Sequence, residues 1–497
     1  MDTKRTTVSL AVMLALPLLA SSAAASPACA NRVNNTQAKL LECVTLDAVR
    51  EHQMVFQEIA DANGGNRASG TPGYDATVDY LAGELEDAGY DVTIQAFEFQ
   101  TFVNLSPSLL ELVSPAPAGP VANSIFSYSG SGDVTAPVAA LAAPPADPTP
   151  GCEAADFAGF PAGSIALISR GGCTFAIKAT NAYAAGSSGV VIYNNAPGVL
   201  NGTLGTDFAL AIPVTSVTQD VGQQLAATAG LVMRLKTDVF SGLATTYNVL
   251  AETRNGDPGN VIMVGAHLDS VDEGPGINDN GSGSAAVLET ALQMAKVKPR
   301  NKVRFAWWGA EESGLVGSRH YVNGLSDEER DDIALYLNFD MIGSPNYVRF
   351  VYDGDGSAFE LEGPPGSDVI EAFFERFYAV RGLESEPTQI SFRSDYAAFF
   401  DFGIPFGGLF TGAEGIKSVE QEAIYGGVAG EQYDPCYHLV CDTIDNVSLE
   451  VLDLNADAVA AATLQYAMNT QAVNARKGKG NFKPPKDMEN LGAWKVR

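Results

Sequence analysis

The chain contains little positive charge and very little histidine. Its 497 residues include 30 Lys and Arg against 59 Asp and Glu, a formal charge of -29. So acidic a protein repels nucleic acids and anionic membrane surfaces, which argues against both as partners. The scarcity of histidine means that each imidazole can be weighed individually as a metal ligand. The four are His52, His267, His320 and His438.

Long apolar runs are absent after the N-terminal segment, so we expect no membrane-spanning helix in the rest of the chain. Two basic residues precede an apolar run from residue 8 to 20 and a small-residue stretch ending at Ala25, a pattern typical of an export signal. The run is shorter than the ~20 residues of a spanning helix. We therefore predict a signal peptide over residues 1–25 and a secreted protein, extracellular or periplasmic. A lipid anchor at Cys29 is the alternative, which the preceding residues fit poorly.

Cysteine is also scarce, and the six present suit an exported protein with three disulfides. The sequence leaves several connectivities open, and a cysteine zinc site is not expected because no two close pairs share a matching spacing. Local spacing suggests three pairs: Cys29 with Cys43, Cys152 with Cys173, and Cys436 with Cys441.

The chain is long enough for two or three domains of ordinary size. Its apolar pattern predicts a helix over residues 46–62 and a second beginning at Thr71-Pro72, where Thr can cap and Pro suits the first turn. An alternating strand follows over residues 91–97. Residues 115–150 are then rich in Pro, Ala and Gly, which marks the edge of an inserted unit.

The inserted unit extends to about residue 237. It has short apolar strands at 164–168 and 189–193 on either side of a helix at 175–185, and its sequence shows no cluster of metal ligands or nucleophiles. The segment SIALISRGGCTFAIKATNAYAAGSSGVVIYNN resembles the protease-associated (PA) domain. That resemblance implies a module without catalysis that influences substrate access or partners.

After residue 247, apolar strands alternate with helical stretches, as in an α/β fold with a mostly parallel or mixed sheet and helices on both faces. Ligands of such sheets gather at the carboxyl ends of the strands. The strand at 261–266 leads into His267-Leu268-Asp269. In an extended chain His267 and Asp269 point the same way, so Asp269 can orient the imidazole by accepting its other ring N–H.

The loop and the two strands that follow in the sequence each supply carboxylates. The Gly-rich loop at 274–283 contains Asp279, whose two oxygens can bridge two cations. Phosphate binding by this Gly-rich loop is the alternative, but the spacing of a Walker motif is absent and the acidic residues would repel phosphate. A second strand leads to Glu311-Glu312, which can divide metal binding from proton transfer, and a third delivers Asp340.

Among the histidines, His267 and His438 remain as nitrogen ligands. His438 stands between two cysteines in YDPCYHLVCDTIDNV. His52 lies in the first amphipathic helix and His320 in a helix after the Glu pair, so we interpret both as packing or surface residues.

Together these segments resemble peptidase family M28, the zinc aminopeptidases, and especially its secreted Streptomyces-type leucine aminopeptidases. The resemblance covers roughly residues 46–110 and 240–470 and implies a zinc-exopeptidase fold with the smaller PA domain inserted. The segments that carry it are GAHLDSV, GINDNGSGS, WWGAEESGLVGSRHY, NFDMIG, SFRSDYAAFFDFGIPFGGLFTGAEGIKS and YDPCYHLVCDT.

The family pattern implies two Zn²⁺ per chain, a peptide substrate with a free N-terminus and a preference for large apolar N-terminal residues. One zinc is expected on His267, Asp279 and Asp340, and the other on Glu312, Asp279 and His438. The remaining implied roles are general base for Glu311, support of the imidazole ligand for Asp269, oxyanion stabilisation for Tyr437, and substrate binding near the free amine for Arg393.

We predict five segments from these patterns, and the sequence leaves the oligomeric state open. They are a signal peptide at 1–25, the first part of the peptidase domain at 26–114, the PA insert at 115–237, the catalytic part at 238–473 and a basic flexible tail at 474–497.

Other functions stay open at this point. A carboxypeptidase or dipeptidase of the same fold needs a basic pocket, and little Arg clusters near the motifs. A glutaminyl cyclase suits the paired glutamates and bridging aspartate less well. A non-catalytic PA-domain binding protein is disfavoured because no ligand position is lost. A serine hydrolase is not expected, because the chain has no G-x-S-x-G elbow.

Overall fold

The computed structural model describes residue 29, residues 31–196, residue 198 and residues 200–474. The predicted signal peptide and nearly all of the predicted basic tail lie outside these residues, so both stay predictions. Within the described part, no helix combines the length and apolarity needed to span a bilayer. The three cysteine pairs suggested by spacing are the three disulfides observed.

In the described part of the chain, the strands form one continuous mixed sheet. In chain order they are β1 (Asp91–Ser114), β2 (Gly119–Pro120), β3 (Ser124–Ile125), β4 (Gly132–Ala140), β5 (Ile165–Ser169), β6 (Gly189–Tyr193), β7 (Val214–Val217), β8 (Val232–Glu252), β9 (Asp257–His267), β10 (Asn301–Trp308), β11 (Ile333–Phe339), β12 (Phe350–Tyr352), β13 (Glu386–Thr388) and β14 (Phe406–Phe410).

The helices surround this sheet, together with one short 3₁₀ turn at Ala154–Phe157. They are α1 (Gln37–Leu41), α2 (Leu46–Ala62), α3 (Pro72–Ala88), α4 (Phe175–Ala184), α5 (Gln219–Ala226), α6 (Gly281–Met294), α7 (Val316–Gly324), α8 (Asp327–Asp332), α9 (Ser367–Ala379), α10 (Tyr396–Phe400), α11 (Val419–Tyr425), α12 (Leu449–Met468) and α13 (Gln471–Asn474).

The first long helices begin where the sequence signals placed them. Thr45 and Thr71 are the N-caps of α2 and α3, and each hydroxyl accepts a hydrogen bond from a backbone N–H of the first turn. Pro72 follows as the first residue of α3, where its missing N–H has no partner to lose. The predicted boundaries of α2 and the predicted start of α3 are confirmed.

The main domain has its sheet buried on both faces. Strands β9, β10, β11 and β14 run parallel at its centre. Along β9, Ile262 and Val264 pack into one hydrophobic core, whereas Val261 and Met263 pack into a second core on the opposite face. Successive side chains of a strand point to opposite faces, so helices cover both sides. The predicted α/β class with helices on both faces is confirmed.

The inserted unit is joined to the main domain by a long two-stranded ribbon. β1 and β8 pair antiparallel from Asp91 opposite Glu252 to Ser114 opposite Val232. β8 pairs with β10 of the main domain at one end and with β4 of the insert at the other. In the insert, β4 to β7 are parallel neighbours over a separate core around Phe126. The same ribbon therefore belongs to both units.

Helix α6 approaches β11 so closely that only glycine fits at one position. A Cβ on Gly283 would lie 2.2 Å from the carbonyl oxygen of Phe339 and 2.5 Å from the side-chain oxygen of Asn280. That Asn280 oxygen caps α6 by accepting the Gly283 N–H at 2.9 Å. The close approach fixes the start of the helix against the end of the strand.

We expect Gly283→Ala to lower the free energy of unfolding by about 1–3 kcal/mol, because the added methyl forces helix and strand apart. Gly324→Ala is the matched control, since a Cβ at Gly324 meets nothing within 4 Å. Urea unfolding of both variants measures the difference. Equal stability of the two would show that the contact is not restrictive.

Candidate active site

Three parallel strands bring the predicted ligands to one edge of the sheet. His267 is the last residue of β9 and lies level with Trp308, the last residue of β10. On the other side of β9, the parallel strand β11 ends at Phe339, directly before Asp340. Residues that follow neighbouring parallel strands meet at the carboxyl edge, where ligands of such sheets bind.

Three overlapping groups of possible metal ligands form at this edge: the first two are triads that share Asp279, and the third joins His267 to Glu311 and Glu312. In the first, Nε2 of His267 lies 3.2 Å from Oδ1 of Asp279 and 3.3 Å from Oδ1 of Asp340. In the second, Nε2 of His438 lies 3.2 Å from Oδ2 of Asp279 and 3.1 Å from Oε2 of Glu312. Asp279 belongs to both triads, and each of its oxygens faces a different imidazole. All five residues singled out from the sequence as metal ligands therefore lie together.

The carboxylates control the protonation of both imidazoles. Burial acts to lower the pKa of His267, but the surrounding carboxylates, led by Glu311 and Asp340, together outweigh it and raise that pKa well above its usual value. Burial is likewise outweighed at His438, whose pKa is raised well above its usual value, with Glu312 the largest cause. The site therefore attracts positive charge strongly.

Asp279 is fixed through the backbone of its own loop. Asp442 accepts the N–H of Asp279 on Oδ2 and the N–H of Asn278 on Oδ1, both at 2.9 Å. Asn446 links Asp442 to a second buried carboxylate, Asp434, by donating to both at 3.0 and 2.9 Å. Burial raises the pKa of Asp442 to about 8, and the charge of Asp434 adds to this. The loop thus rests on a closed polar network.

Asp269 contacts His267 differently from the sequence-based expectation. Nδ1 of His267 lies 3.0 Å from the backbone carbonyl oxygen of Asp269 and 3.7 Å from its carboxylate. That carboxylate instead accepts the N–H of Glu311 at 3.2 Å. The strand has ended at His267, so the chain after it turns and offers its carbonyl to the ring. Asp269 still touches both the imidazole and the Glu311 backbone.

The adjacent glutamates occupy different environments. Burial raises the pKa of Glu311 well above its usual value, and the neighbouring Glu312 adds to the shift. Burial also raises the pKa of Glu312, to about 7, although His438 counteracts it. One oxygen of Glu312 faces His438, and its other oxygen is buried without a hydrogen-bond partner among the described residues.

Asp340 is oriented from the far side by a chain of hydrogen bonds. Its Oδ2 accepts the hydroxyl of Ser394 at 2.7 Å, and that hydroxyl accepts the side-chain amide of Asn338 at 2.9 Å. Asn338 lies in β11 two residues before Asp340, so the strand itself anchors the arrangement. Oδ1 is left facing His267.

A second group, at the mouth of the site, surrounds Arg393. Its guanidinium donates to both oxygens of Glu414, at 2.6 and 3.2 Å, and to the hydroxyl of Tyr437 at 3.1 Å. The Tyr437 ring stacks on His438 with centroids 3.8 Å apart. Burial raises the pKa of Tyr437 well above its usual value, so its hydroxyl keeps a proton to donate.

The loop that carries Tyr437 and His438 is closed by the disulfide between Cys436 and Cys441. His438 has a φ of 57°, a left-handed conformation that is uncommon for a residue with a side chain. Such conformations persist where the surroundings over-determine them, and they cluster at functional sites.

A pocket of about 520 Å³ opens over the two triads. His267, Asp279, Glu311, Glu312 and His438 are among the residues that form one side of it. Away from them part of the lining is apolar and aromatic, and it includes Met341, Tyr352, Tyr396, Phe410 and Ala413. Polar residues line the pocket as well, among them Thr388, Gln389, Ser391, Arg393 and Ser394.

Comparison with known proteins agrees with this geometry. The model of peptidase family M28 matches residues 248–463, and that of the PA domain matches residues 134–225. An aminopeptidase of Pseudomonas aeruginosa is 51% identical over 451 residues, 88% of this chain and 84% of the relative. The chain belongs to peptidase family M28. The predicted family and the inserted PA domain are confirmed.

Other M28 relatives agree in sequence and fold. Leucine aminopeptidase 2 of Arthroderma otae is 43% identical, covering 84% of this chain and 82% of its own. The solved aminopeptidase of Aneurinibacillus sp. strain AM-1 superposes with a TM-score of 0.68 at 28% identity, covering 87% of this chain and 96% of that one. For BSAP, a zinc aminopeptidase of Bacillus subtilis, the TM-score is 0.63 at 26% identity, with 86% and 97% covered.

The two other histidines of this M28 chain lie apart from the triads. His52 is buried in α2, 2.7 Å from the hydroxyl of Tyr80 and 3.3 Å from Glu289. His320, in α7, stacks on Phe97 with centroids 5.0 Å apart. Their interpretation as packing and surface residues is confirmed.

Several residues that support the M28 site were not identified from the sequence. Arg67 is fully buried and donates hydrogen bonds to the carbonyl oxygens of Leu268, Pro275 and Gly276. These hydrogen bonds brace the Gly-rich loop. In the sequence Arg67 is a lone basic residue shortly after two glycines, and no pattern there predicts that it supports the site. Asp442 lies in a recognised segment, and its position directly after a cysteine of the His438 loop was the available hint.

We expect Asp442→Asn to lower the free energy of unfolding by about 1–3 kcal/mol, because an amide can accept only one of the two backbone N–H groups and turns a donor toward the other. Asp445→Asn, three residues along and exposed, is the control. Urea titrations of the two variants measure the effect. A stability loss no larger than that of the control would contradict the support ascribed to Asp442.

Proposed function

We propose that this chain is an exported aminopeptidase that holds two zinc ions and removes residues, preferably large apolar ones, from the free N-terminus of peptides. The observation that carries the proposal is the pair of ligand triads that share Asp279. Two-metal hydrolases are built on this kind of shared carboxylate. The names of the relatives, which are aminopeptidases of bacteria and fungi, support the same activity.

The residues fit two zinc ions. Each triad supplies one imidazole nitrogen and two carboxylate groups. Three protein ligands with an open fourth position are what zinc has in catalytic sites, and both nitrogen and carboxylate oxygen are among its donors. The unpartnered buried oxygen of Glu312 is the kind of atom a cation satisfies. In this assignment His267, Asp279 and Asp340 hold one ion, and Glu312, Asp279 and His438 hold the other.

The metals, when bound, polarise the scissile carbonyl and lower the pKa of a water molecule. Glu311 then takes the proton of the attacking water and returns it to the departing nitrogen, as a general base and acid. Its burial and raised pKa suit that exchange. Asp269 holds the Glu311 backbone and the His267 ring at once. The hydroxyl of Tyr437 donates a hydrogen bond to the oxyanion, and Arg393 holds that hydroxyl in place.

The charge of the pocket supports action at the N-terminus. An acidic site with open metal coordination favours a free α-amine, whereas a C-terminal carboxylate needs an unpaired cation. Arg393 is the only Lys or Arg among the described residues that line the pocket, and Glu414 already takes two of its donors. This weakens the carboxypeptidase alternative. Arg393 is left to position Tyr437 and the end of the substrate.

The apolar wall supports the side-chain preference. Met341, Tyr352 and Phe410 line the pocket beside the triads and offer a surface for the first side chain of the peptide. Apolar pockets separate side chains by only ~1–3 kcal/mol per methylene, so we expect a graded preference and not an absolute one. Export is supported by three disulfides, which persist in oxidising compartments.

The first test compares leucyl-alanyl-alanine with its N-acetylated form, each with and without exhaustive chelation. We expect hydrolysis of the free peptide alone, loss of that hydrolysis when metal is removed, and recovery on adding zinc. Metal-free enzyme, verified by metal analysis, is the control. Cleavage of the acetylated peptide from its C-terminus would reverse the assignment, and full activity without metal would refute the two-zinc site.

The second test separates the two neighbouring glutamates. Glu311→Gln keeps the shape but cannot accept a proton, so turnover should fall by at least ~10²–10⁴ while zinc content stays near two per chain. Glu312→Ala removes a proposed ligand, so zinc content should fall together with turnover. Metal analysis beside kcat decides between them. If Glu311→Gln loses zinc and Glu312→Ala keeps it, the two roles are exchanged.

A further inference from the structure

A second cleft lies between the PA insert and the main domain. It has a volume of about 740 Å³. One wall comes from the insert and from β1, with Phe102, Tyr128 and Thr203 among its residues. The opposite wall is the chain segment that follows His267, from residue 269 to 273, together with Glu312 and Ser313. Neither unit forms the cleft alone.

The cleft adjoins the metal pocket. Glu312 lines both spaces, and Asp269, which holds the backbone of Glu311, also lines the cleft. In the proposed function the first side chain of the peptide occupies the apolar wall of the metal pocket. An aminopeptidase substrate has only one residue before the bond that is cleaved. Any part of the peptide that reaches the second cleft therefore belongs to the segment that leaves after cleavage.

The cleft carries uncompensated negative charge. Asp272 and Glu273 line it, and none of its described lining residues is Lys, Arg or His. The Asp272 carboxylate is half-buried, and Glu273 beside it is exposed. Burial raises the pKa of Asp272 to about 7, and Glu273 adds to the shift. A cation beside these groups would relieve both the burial cost and the repulsion.

The facing wall suits the stem of a long basic side chain. Phe102 and Tyr128 pack together with centroids 5.7 Å apart, and the Tyr128 hydroxyl is tied to the carbonyl oxygen of Gln100 at 2.9 Å. Lys and Arg have apolar stems that pack on such surfaces and charged ends that seek carboxylates. Aromatic faces also attract the cation itself.

We propose that this cleft binds the departing part of the peptide and selects a Lys or Arg side chain, at the second or third residue of the substrate, through Asp272 and Glu273. The inference rests on the proposed aminopeptidase function. It adds a substrate class that the metal pocket does not define, namely peptides that are apolar at the first position and basic just after it.

The test uses the full, zinc-loaded chain and three peptide amides: Leu-Lys-Ala-Ala, Leu-Ala-Lys-Ala and Leu-Gln-Ala-Ala. The amide removes the terminal carboxylate, which would itself be repelled. We expect kcat/KM for the better lysine peptide to exceed that for the glutamine peptide by about tenfold, as a charge-assisted contact to a half-buried carboxylate would give. In the double variant Asp272→Asn with Glu273→Gln, this ratio should fall to about twofold or less.

The control variant is Asp453→Asn, which removes one negative charge from an exposed position of α12, and its ratio should match that of the unmodified chain. Because each ratio is measured within one enzyme preparation, differences in folding or metal content between variants cancel. Glu273→Gln alone changes an exposed residue and gives a second, milder variant, for which an intermediate ratio is expected.

The outcomes are distinguishable. Hydrolysis of leucine amide with no preference for lysine, or with a preference that survives in the double variant, overturns the cleft assignment and leaves the proposed function standing. Failure of the zinc-loaded chain to hydrolyse leucine amide and all three peptides overturns both. A lysine preference lost in the double variant and kept in Asp453→Asn supports the proposal.

Discussion

The interaction on which the rest of the structure depends is the placement of one carboxylate, that of Asp279, between two imidazoles. Its oxygens lie 3.2 Å from His267 and 3.2 Å from His438, two residues far apart in sequence. Burying so much negative charge is unfavourable unless positive charge joins it. The surroundings therefore act as a rigid frame: Asp442 holds the loop by its backbone, and the close approach at Gly283 fixes the helix that follows.

Much of this could be predicted from the sequence because it depends on local patterns. His267, the Glu311-Glu312 pair and Asp340 each come shortly after an apolar strand. In a parallel sheet that alone is enough to bring them to a common edge. The helix starts at Thr45 and Thr71 followed from capping chemistry for the same reason. The three disulfide pairs agreed with spacing because each closes a short loop.

What escaped prediction depends on contacts between distant parts of the chain. Arg67 holds three carbonyl oxygens about 200 positions away, and nothing near it in sequence signals that task. A strand was expected over residues 91–97, yet β1 continues to Ser114, because β8 pairs with it as far as that residue, with irregular register after Asn104 and after Leu112. Composition placed a boundary near residue 115, but hydrogen bonding carries the sheet across it. The cleft between the units is a product of that pairing, so it too was invisible in the sequence.

The shared ribbon also determines how the PA insert can move. Its two strands are hydrogen-bonded to each other where they leave the main domain, and β8 is paired there with β10. The insert therefore cannot rotate freely about the connection. Displacement requires elastic bending of the ribbon, and the irregular pairing between Asn104 and Leu109 is where such bending is easiest. An elastic support has one rest position. The width of the cleft between the insert and the main domain is therefore set by the length and twist of the ribbon, so a longer or shorter ribbon would change the thickness of chain that the cleft admits.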